Sequence, residues 1–275
     1  MADSAQSATA LEVLKAEGES VRRTLQQEGL IGVRRPIRVK ARAATATASQ
    51  SLSEGEKAIH FVRHGQGFHN LLAELYREMG KTYDVLAKQH DDNNPYCRRE
   101  LVDVPLTALG RKEAAKLQEV AQEIAPEVVV LSPLCRATQT ALIAFAHLVD
   151  RQSTKVPFIA HEGCHEISGL YPCDLRRSIT EMQREFPAVD YSGISEEDSL
   201  WKETRESWKE LADRAYDFML WIRDRPERNI AVATHSAWLN VLCNCVLECA
   251  DPSLELPFHT GELRSLIISF EDRAA

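Results

Sequence analysis

From residue 56 onward the chain alternates short, dense apolar runs with longer segments of helical period. The runs AIHFV (58–62), EVVVL (127–131), VPFIA (156–160) and NIAVAT (229–234) are apolar at nearly every position rather than at every second one. That pattern belongs to strands buried on both faces, as in a parallel sheet covered by helices. LRSLIISFE (263–271) reads as a closing strand. Between the runs, helical spacing predicts helices over 70–79, 106–125, 132–149, 174–186, 199–224 and 236–249. Thr107 is the expected N-cap of the second, and Ser132, followed by Pro133 at the first helical position, that of the third. Residues 80–100 are polar, carry the turn cluster DDNNP and read as an insertion or lid. Strands alternating with helices define an α/β class with a mainly parallel central sheet flanked by helices.

The first 55 residues do not share this alternation. Leu11, Leu14, Val21 and Leu25 set a weak helical pattern over 9–29, and residues 31–53 hold five basic side chains and no acid. The predicted organisation is an N-terminal extension over 1–55, disordered or helical, and a folded body over 56–275. An Arg- and Ser-rich, acid-poor stretch resembles organelle targeting segments. The first thirty residues nevertheless carry five acids. Two readings stand: a plain extension on a cytoplasmic protein, or a segment that directs the chain to a plastid or mitochondrion.

A length of 275 residues fits one large domain plus that extension. No apolar run approaches a membrane span, and the densest region (230–249) is broken by Thr234, His235, Ser236, Asn240 and Asn244. The net charge of −8 argues against a nucleic-acid partner. It is uneven: residues 1–55 carry eight Lys/Arg against six Asp/Glu, the remainder 25 against 35. A basic pocket in the body must therefore be local. Seven cysteines, an odd number, predict free thiols in a reducing compartment. Cys243, Cys245 and Cys249 lie in an apolar helical stretch without paired C-x-x-C spacing, so core packing is expected there and no metal site.

In an open parallel sheet, ligands bind at the carboxyl ends of the strands. Arg63 and His64 follow the first strand, Ser132 and, one turn on, Arg136 follow the second. His161, Glu162, His165 and Glu166 follow the third, and Thr234 and His235 the fourth. Each residue alone has a structural explanation, but four equivalent strand ends carrying Arg, His or Glu would converge on one edge. Such a cluster suits a tetrahedral phosphate, which guanidinium forks match. A phosphomonoester dianion repels an anionic nucleophile but not a neutral imidazole. Neighbouring arginines disfavour imidazolium at His64 and also neutralise the transferring phosphoryl oxygens. A carboxylic acid can protonate the leaving alkoxide. The chemistry expected is covalent catalysis through phosphohistidine, with no metal or other cofactor.

These residues resemble the histidine phosphatase superfamily, whose fold is phosphoglycerate-mutase-like. VRHGQGFHN matches its Arg-His-Gly motif with the downstream Asn, LTALGRKEA its Leu-Thr-x-x-Gly helix start, and VVVLSPLCRATQTA its Ser-Pro-x-x-Arg-Ala-x-x-Thr segment. AVATHSAWL resembles the strand end that carries the second histidine, and CHEISGLYPCDLRRSIT the acid-bearing segment of eukaryotic phosphoglycerate-mutase-like proteins. The motifs occur in family order. The resemblance implies a three-layer sandwich as the catalytic domain over 56–275. It implies His64 as nucleophile, Arg63, Arg136 and His235 on the phosphate with Asn70 assisting, and Glu166 as acid, with Glu162 as the alternative. Gln66 and Ser236 stand on the substrate side, where mutases usually have Glu and many members Gly.

The Glu-Arg-x-Tyr-Gly pattern of glycolytic mutases is absent, which favours hydrolysis of a phosphorylated small molecule or phosphoprotein. A phosphoglycerate-type mutase and a phospho-ligand binding protein with little turnover are the alternatives. Several family members form homodimers. Arg176 and Arg177 either contact substrate from above or open a solvated helix. Trp201, Trp208 and Trp221, along the long helix, are read as core.

Overall fold

A computed structural model describes residues 2–149 and 156–273, with side chains described from Glu12 onward except Leu14. The strands are β1 (Ile37–Ala44), β2 (Lys57–Arg63), β3 (Val128–Leu131), β4 (Phe158–Ala160), β5 (Val189–Asp190), β6 (Asn229–Thr234), β7 (Leu247–Cys249) and β8 (Leu263–Asp272). The helices are α1 (Ala2–Gln27), α2 (Phe68–Glu78), α3 (Ala108–Lys116), α4 (Gln118–Ile124), α5 (Cys135–Ala144), α6 (Ile179–Glu185), α7 (Trp208–Asp224) and α8 (Ser236–Val241). Among the described residues the strands form one sheet in the order β5-β4-β3-β6-β2-β8-β1-β7. β5, β4, β3, β6 and β2 run parallel, and β8 is antiparallel to both β2 and β1.

Successive residues of the central strands feed opposite cores, as the pleat requires. Ile59, Phe61, Val128, Val130, Ile230 and Val232 pack with residues of α1, α7 and α8. Val62, Val129, Leu131, Ala231 and Ala233 pack with residues of α4, α5 and α6. This is the α/β sandwich of three layers that the alternation predicts. Among the described residues no helix is long and apolar enough to cross a membrane.

Several elements differ from the expectation. β1 lies inside the segment marked off as an extension, so the sheet draws on chain to both sides of residue 55. Val39 and Ala41 enter the core while Arg38, Lys40 and Arg42 face acids of the body. Arg38 meets Glu248 at 2.6 Å, Lys40 meets Glu271 at 2.7 Å and Arg42 meets Glu56 at 3.2 Å. The basic run is thus the polar face of a strand. In α1, Val21 and Leu25 are buried; the side chains of Leu11 and Leu14 lie outside the described set.

The stretch 106–125 breaks at Leu117 into α3 and α4, with Thr107 accepting the Gly110 N–H as the expected cap. α5 starts at Cys135, not after Ser132. Leu134 stays extended with its N–H directed at Ser132 Oγ (3.4 Å), and the Asp103 carboxylate, not Ser132, accepts the Cys135 N–H at 2.7 Å. The segment 199–224 is helical only from Trp208, where Ser207 and Glu210 form a capping box. Trp201 therefore lies outside the helix, its Nε1 donating to the Tyr171 carbonyl. The segment 236–249 leaves α8 through a π turn at Leu242–Val246 and ends as β7, whose backbone pairs with β1. Cys243 and Cys245 are buried, as expected of core thiols.

Because β1 is an integral strand, Val39→Ala is expected to cost about 2 kcal/mol in global stability through lost burial and a residual cavity. Urea unfolding followed by tryptophan fluorescence measures it. An unchanged midpoint would mean that the segment is only appended to the sheet.

Candidate active site

The four strands whose ends carry the candidate residues lie side by side as β4-β3-β6-β2, all parallel. Pairing continues just past the strand ends. The His64 N–H donates to Thr234 O (3.0 Å), Ser132 N–H to Ala233 O (2.9 Å) and His161 N–H to Leu131 O (2.9 Å). Register alone therefore brings Arg63–His64, Ser132, His161–Glu166 and His235 to one edge.

Gly65 has to be glycine for a packing reason. A Cβ there would meet the Gly110 carbonyl oxygen at 2.4 Å, and one on Gly110 would meet the Gln66 carbonyl oxygen at 2.2 Å. The loop after β2 and the first turn of α3 touch backbone to backbone, and this contact fixes where His64 sits. Thr140 on α5 accepts the Gly65 N–H from the other side at 3.1 Å.

His64 is 1% exposed. Its Nδ1 lies 2.7 Å from the Gly65 carbonyl and its Nε2 lies 3.4 Å from Arg136 Nε. A carbonyl can only accept and a guanidinium can only donate, so Nδ1 carries the proton and Nε2 keeps its lone pair. Burial, then Arg136, then Arg63 push the imidazole well below its usual pKa. Burial and Arg136 do the same to His235 and His69. All three rings are neutral near pH 7.

Arg136 on α5 is 1% exposed. It donates to the Cys173 carbonyl at 2.6 Å and to Asp174 Oδ1 at 2.9 Å. Arg63 donates Nη1 to the Phe258 carbonyl at 2.6 Å, while its buried Nε has no partner. His235 packs on His64 with ring centroids 5.0 Å apart. Its Nε2 is 2.7 Å from Ser132 Oγ, and its buried Nδ1 has no partner.

Glu166 accepts N–H groups on both carboxylate oxygens. Oε1 takes Ile167 and Trp238 at 3.0 Å each, and Oε2 takes Ala237 at 3.3 Å. Its loop is held from beneath by Arg214 on α7, which donates to the carbonyls of His165 (2.8 Å) and Glu166 (3.0 Å) while pairing with Glu206. Glu162 faces elsewhere: its Oε1 binds Arg176 Nε at 2.8 Å.

A cavity of about 300 Å³ opens above these groups, lined at its floor by Arg63, His64, Asn70, Arg136, Glu166 and Ser236. Asn70 also accepts the Gly67 N–H at 3.0 Å, which caps α2. Two of the expected residues are not in the lining. His235 lies behind His64. Gln66 turns away: its Oε1 accepts from Thr107 Oγ1 at 2.7 Å and its Nε2 donates to Glu74 at 2.8 Å. Gln66 thus joins the β2 loop to α2 and α3 instead of facing substrate. The amide can both donate and accept, and its two neighbours demand both.

Neither Arg176 nor Arg177 reaches the cavity. Arg176 donates to Glu162 and to the carbonyls of residues 195–197, and Arg177 pairs with Asp103 and Glu185. Trp208 is buried but also reaches the cavity wall.

Sequence reasoning missed four functional neighbours. His69 lines the cavity with its ring 5.5 Å from His64 and its buried Nδ1 unpartnered. Asp174 bridges Arg136 and Arg205. Arg205 itself and Tyr96 also line the cavity. His69 sits five residues after His64, in the same VRHGQGFHN motif, and α2 brings it back over the His64 ring. For Asp174 and Arg205 no local signal existed, because their partners are remote in sequence.

The strand ends and the start of α5 thus gather two buried arginines around a neutral histidine. A family model described as histidine phosphatase superfamily (branch 1) matches residues 89–274, and the chain belongs to that superfamily. The matched span begins downstream of Arg63 and His64. A phosphoglycerate mutase-like protein of Arabidopsis thaliana is 34% identical over 244 residues, 77% of this chain and 84% of the relative. A second from the same plant, phosphoglycerate mutase-like protein 1, is also 34% identical over 244 residues, covering 77% and 81%. Among solved structures, the alpha-ribazole phosphatase of Shigella flexneri superposes with a TM-score of 0.47 at 20% identity, covering 76% of this chain and 89% of that one.

The buried neutral imidazoles have a consequence for stability. An unfolded histidine protonates near pH 6.5, whereas burial holds folded His60 down at about 4 and His64, His69 and His235 also well below the usual value. As pH falls below the unfolded value the unfolded chain binds more protons, so stability present above pH 6.5 is lost toward pH 4. Each such histidine contributes a slope of at most about 1.4 kcal/mol per pH unit. Urea midpoints taken from pH 7.5 to 5.5 are expected to decline, and a flat profile would contradict neutral buried rings.

Proposed function

We propose that this protein is a phosphatase that hydrolyses a phosphomonoester through a phosphohistidine on His64. The observation that carries this reading is the tautomer of His64: Nδ1–H is tied to the Gly65 carbonyl, and Nε2 keeps its lone pair beside Arg136 on the cavity floor. A neutral, oriented nucleophile next to two guanidiniums is what attack on a phosphoryl dianion requires.

In the first step Nε2 forms a bond to phosphorus as the ester P–O bond breaks. Glu166, as general acid, gives a proton to the departing alcohol oxygen. Arg63 and Arg136 neutralise the equatorial oxygens. His235, whose Nε2 meets Ser132, packs against His64 from behind the floor and positions it. In the second step water attacks phosphorus, passes a proton to Glu166, and the N–P bond breaks to return neutral His64 and release phosphate. Glu166 has the acid's role because it lines the cavity, whereas Glu162 is engaged by Arg176. Asn70 assists on the floor. The site's own cations supply the charge neutralisation, so turnover in EDTA is part of the proposal. The substrate side is a phosphorylated small molecule or a phosphoprotein.

Rapid-quench trapping with a ³²P-labelled ester in EDTA tests the nucleophile. An acid-labile, base-stable phosphoenzyme is expected in wild type and absent in His64→Ala, with turnover reduced at least about 10³-fold. Turnover that survives in His64→Ala would sink the assignment. Glu166→Gln is expected to lower kcat about 10²-fold or more for alkyl phosphates and much less for p-nitrophenyl phosphate, whose leaving group needs no proton. Equal losses on both would remove Glu166 as acid.

A further inference from the structure

The cavity has two unlike parts. The floor carries the phosphoryl-binding groups. The wall above is apolar, built by Val21, Val85, Leu86, Ile167 and Pro257. Its ionised groups are mainly acids, and each already has a cation. Glu17 pairs with Arg77 at 2.9 Å, Glu28 with Lys88 at 3.9 Å and Glu206 with Arg214 at 2.7 Å.

Two cations line the upper part. Arg205 donates Nη1 to the Gly169 carbonyl and to Asp174 Oδ2, both at 2.8 Å, and lies 4.1 Å above the Tyr171 ring. Lys88 is 79% exposed beside Glu28. Both are matched by an acid. A second anion on the substrate, such as the carboxylate of a phosphoglycerate, would leave water to face an apolar wall and carboxylates. An apolar alcohol would gain from the same burial.

Part of this wall comes from α1, outside the span that matches the family. Leu25 anchors the helix in the core, and Gly18 lies so close to Pro257 that a Cβ would meet its ring at 2.7 Å. Glu17 and Val21 are thereby set over the cavity.

We infer that the substrate is the phosphomonoester of an apolar alcohol without a second anionic group, and that α1 supplies the wall selecting it. The inference rests on the phosphatase reading above. The cavity of about 300 Å³ has room for a compact alcohol.

The test compares kcat/KM of the full chain for 2-phenylethyl phosphate, ethyl phosphate and 3-phosphoglycerate, unactivated alkyl esters that differ in apolar bulk and charge. Phosphoenzyme formation is measured with each. 2-Phenylethyl phosphate is expected to exceed ethyl phosphate about a hundredfold, and 3-phosphoglycerate by at least as much. Equal values, or a preference for 3-phosphoglycerate with phosphoenzyme formed, would overturn the inference while the phosphatase reading stands. Absence of phosphoenzyme and turnover with all three would remove that reading and the inference with it. Val21→Arg adds a cation to the wall. It is expected to raise the 3-phosphoglycerate to 2-phenylethyl phosphate ratio about tenfold, the scale of one charged hydrogen bond. An unchanged ratio in a variant with wild-type circular dichroism would overturn the role of α1.

Discussion

The structure depends on keeping two guanidiniums charged inside the protein. Arg136 is 1% exposed and Arg63 9%, and the rings packed around them are neutral imidazoles. Burying such charges is costly unless each is matched. Asp174 matches Arg136, but it also serves Arg205. Arg63 has a carbonyl and an idle Nε. The floor therefore carries an excess of positive charge that an incoming anion would complete. Burial first, and then these cations, hold the neighbouring histidines neutral, so an anion bound at the floor would meet guanidiniums beside an unprotonated imidazole.

Two carboxylates four residues apart meet different fates, and the backbone decides which. The turn at Glu162–Cys164 sends Glu162 toward Arg176 and lets the chain re-extend at His165. Glu166 then reaches the start of α8, where backbone N–H groups hold it. Arg214 grips the carbonyls of that loop without entering the cavity. Glu166 is thus placed by its neighbour Ile167 together with remote groups on α7 and α8.

The central strands were legible because their apolar runs are continuous, and β6 begins and ends where its sequence says. Knowing that they were parallel was enough to gather Arg63, His64, Arg136, Glu166 and His235. Legibility ended where partners are remote. Ser132 looks like a helix cap, but Asp103 holds that end from about thirty residues away, and the hydroxyl goes to His235. Gln66 looks like a substrate contact beside the nucleophile, but Thr107 and Glu74 claim its amide. β1 has a period-two pattern in IRVKARAA, yet its basic alternate residues resemble a charged tail until their acidic partners are known. Arg205 carries no motif, and Asp174, inside the CHEISGLYPCDLRRSIT segment, gives no sign there of its partners Arg136 and Arg205.

β1 has both of its sheet neighbours, β7 and β8, in the last thirty residues of the chain. It is synthesised before both of them and can pair only when they have been made. During synthesis its backbone edge stands open, a hazard for misassociation. Arg38, Lys40 and Arg42 then act as charged guards on a strand waiting for its partners, and Glu248 and Glu271 arrive on those same partners to neutralise the guard as the sheet closes. The ladder that finishes the fold is long-range, so completion of the sheet waits for β7 and β8 rather than following from local structure.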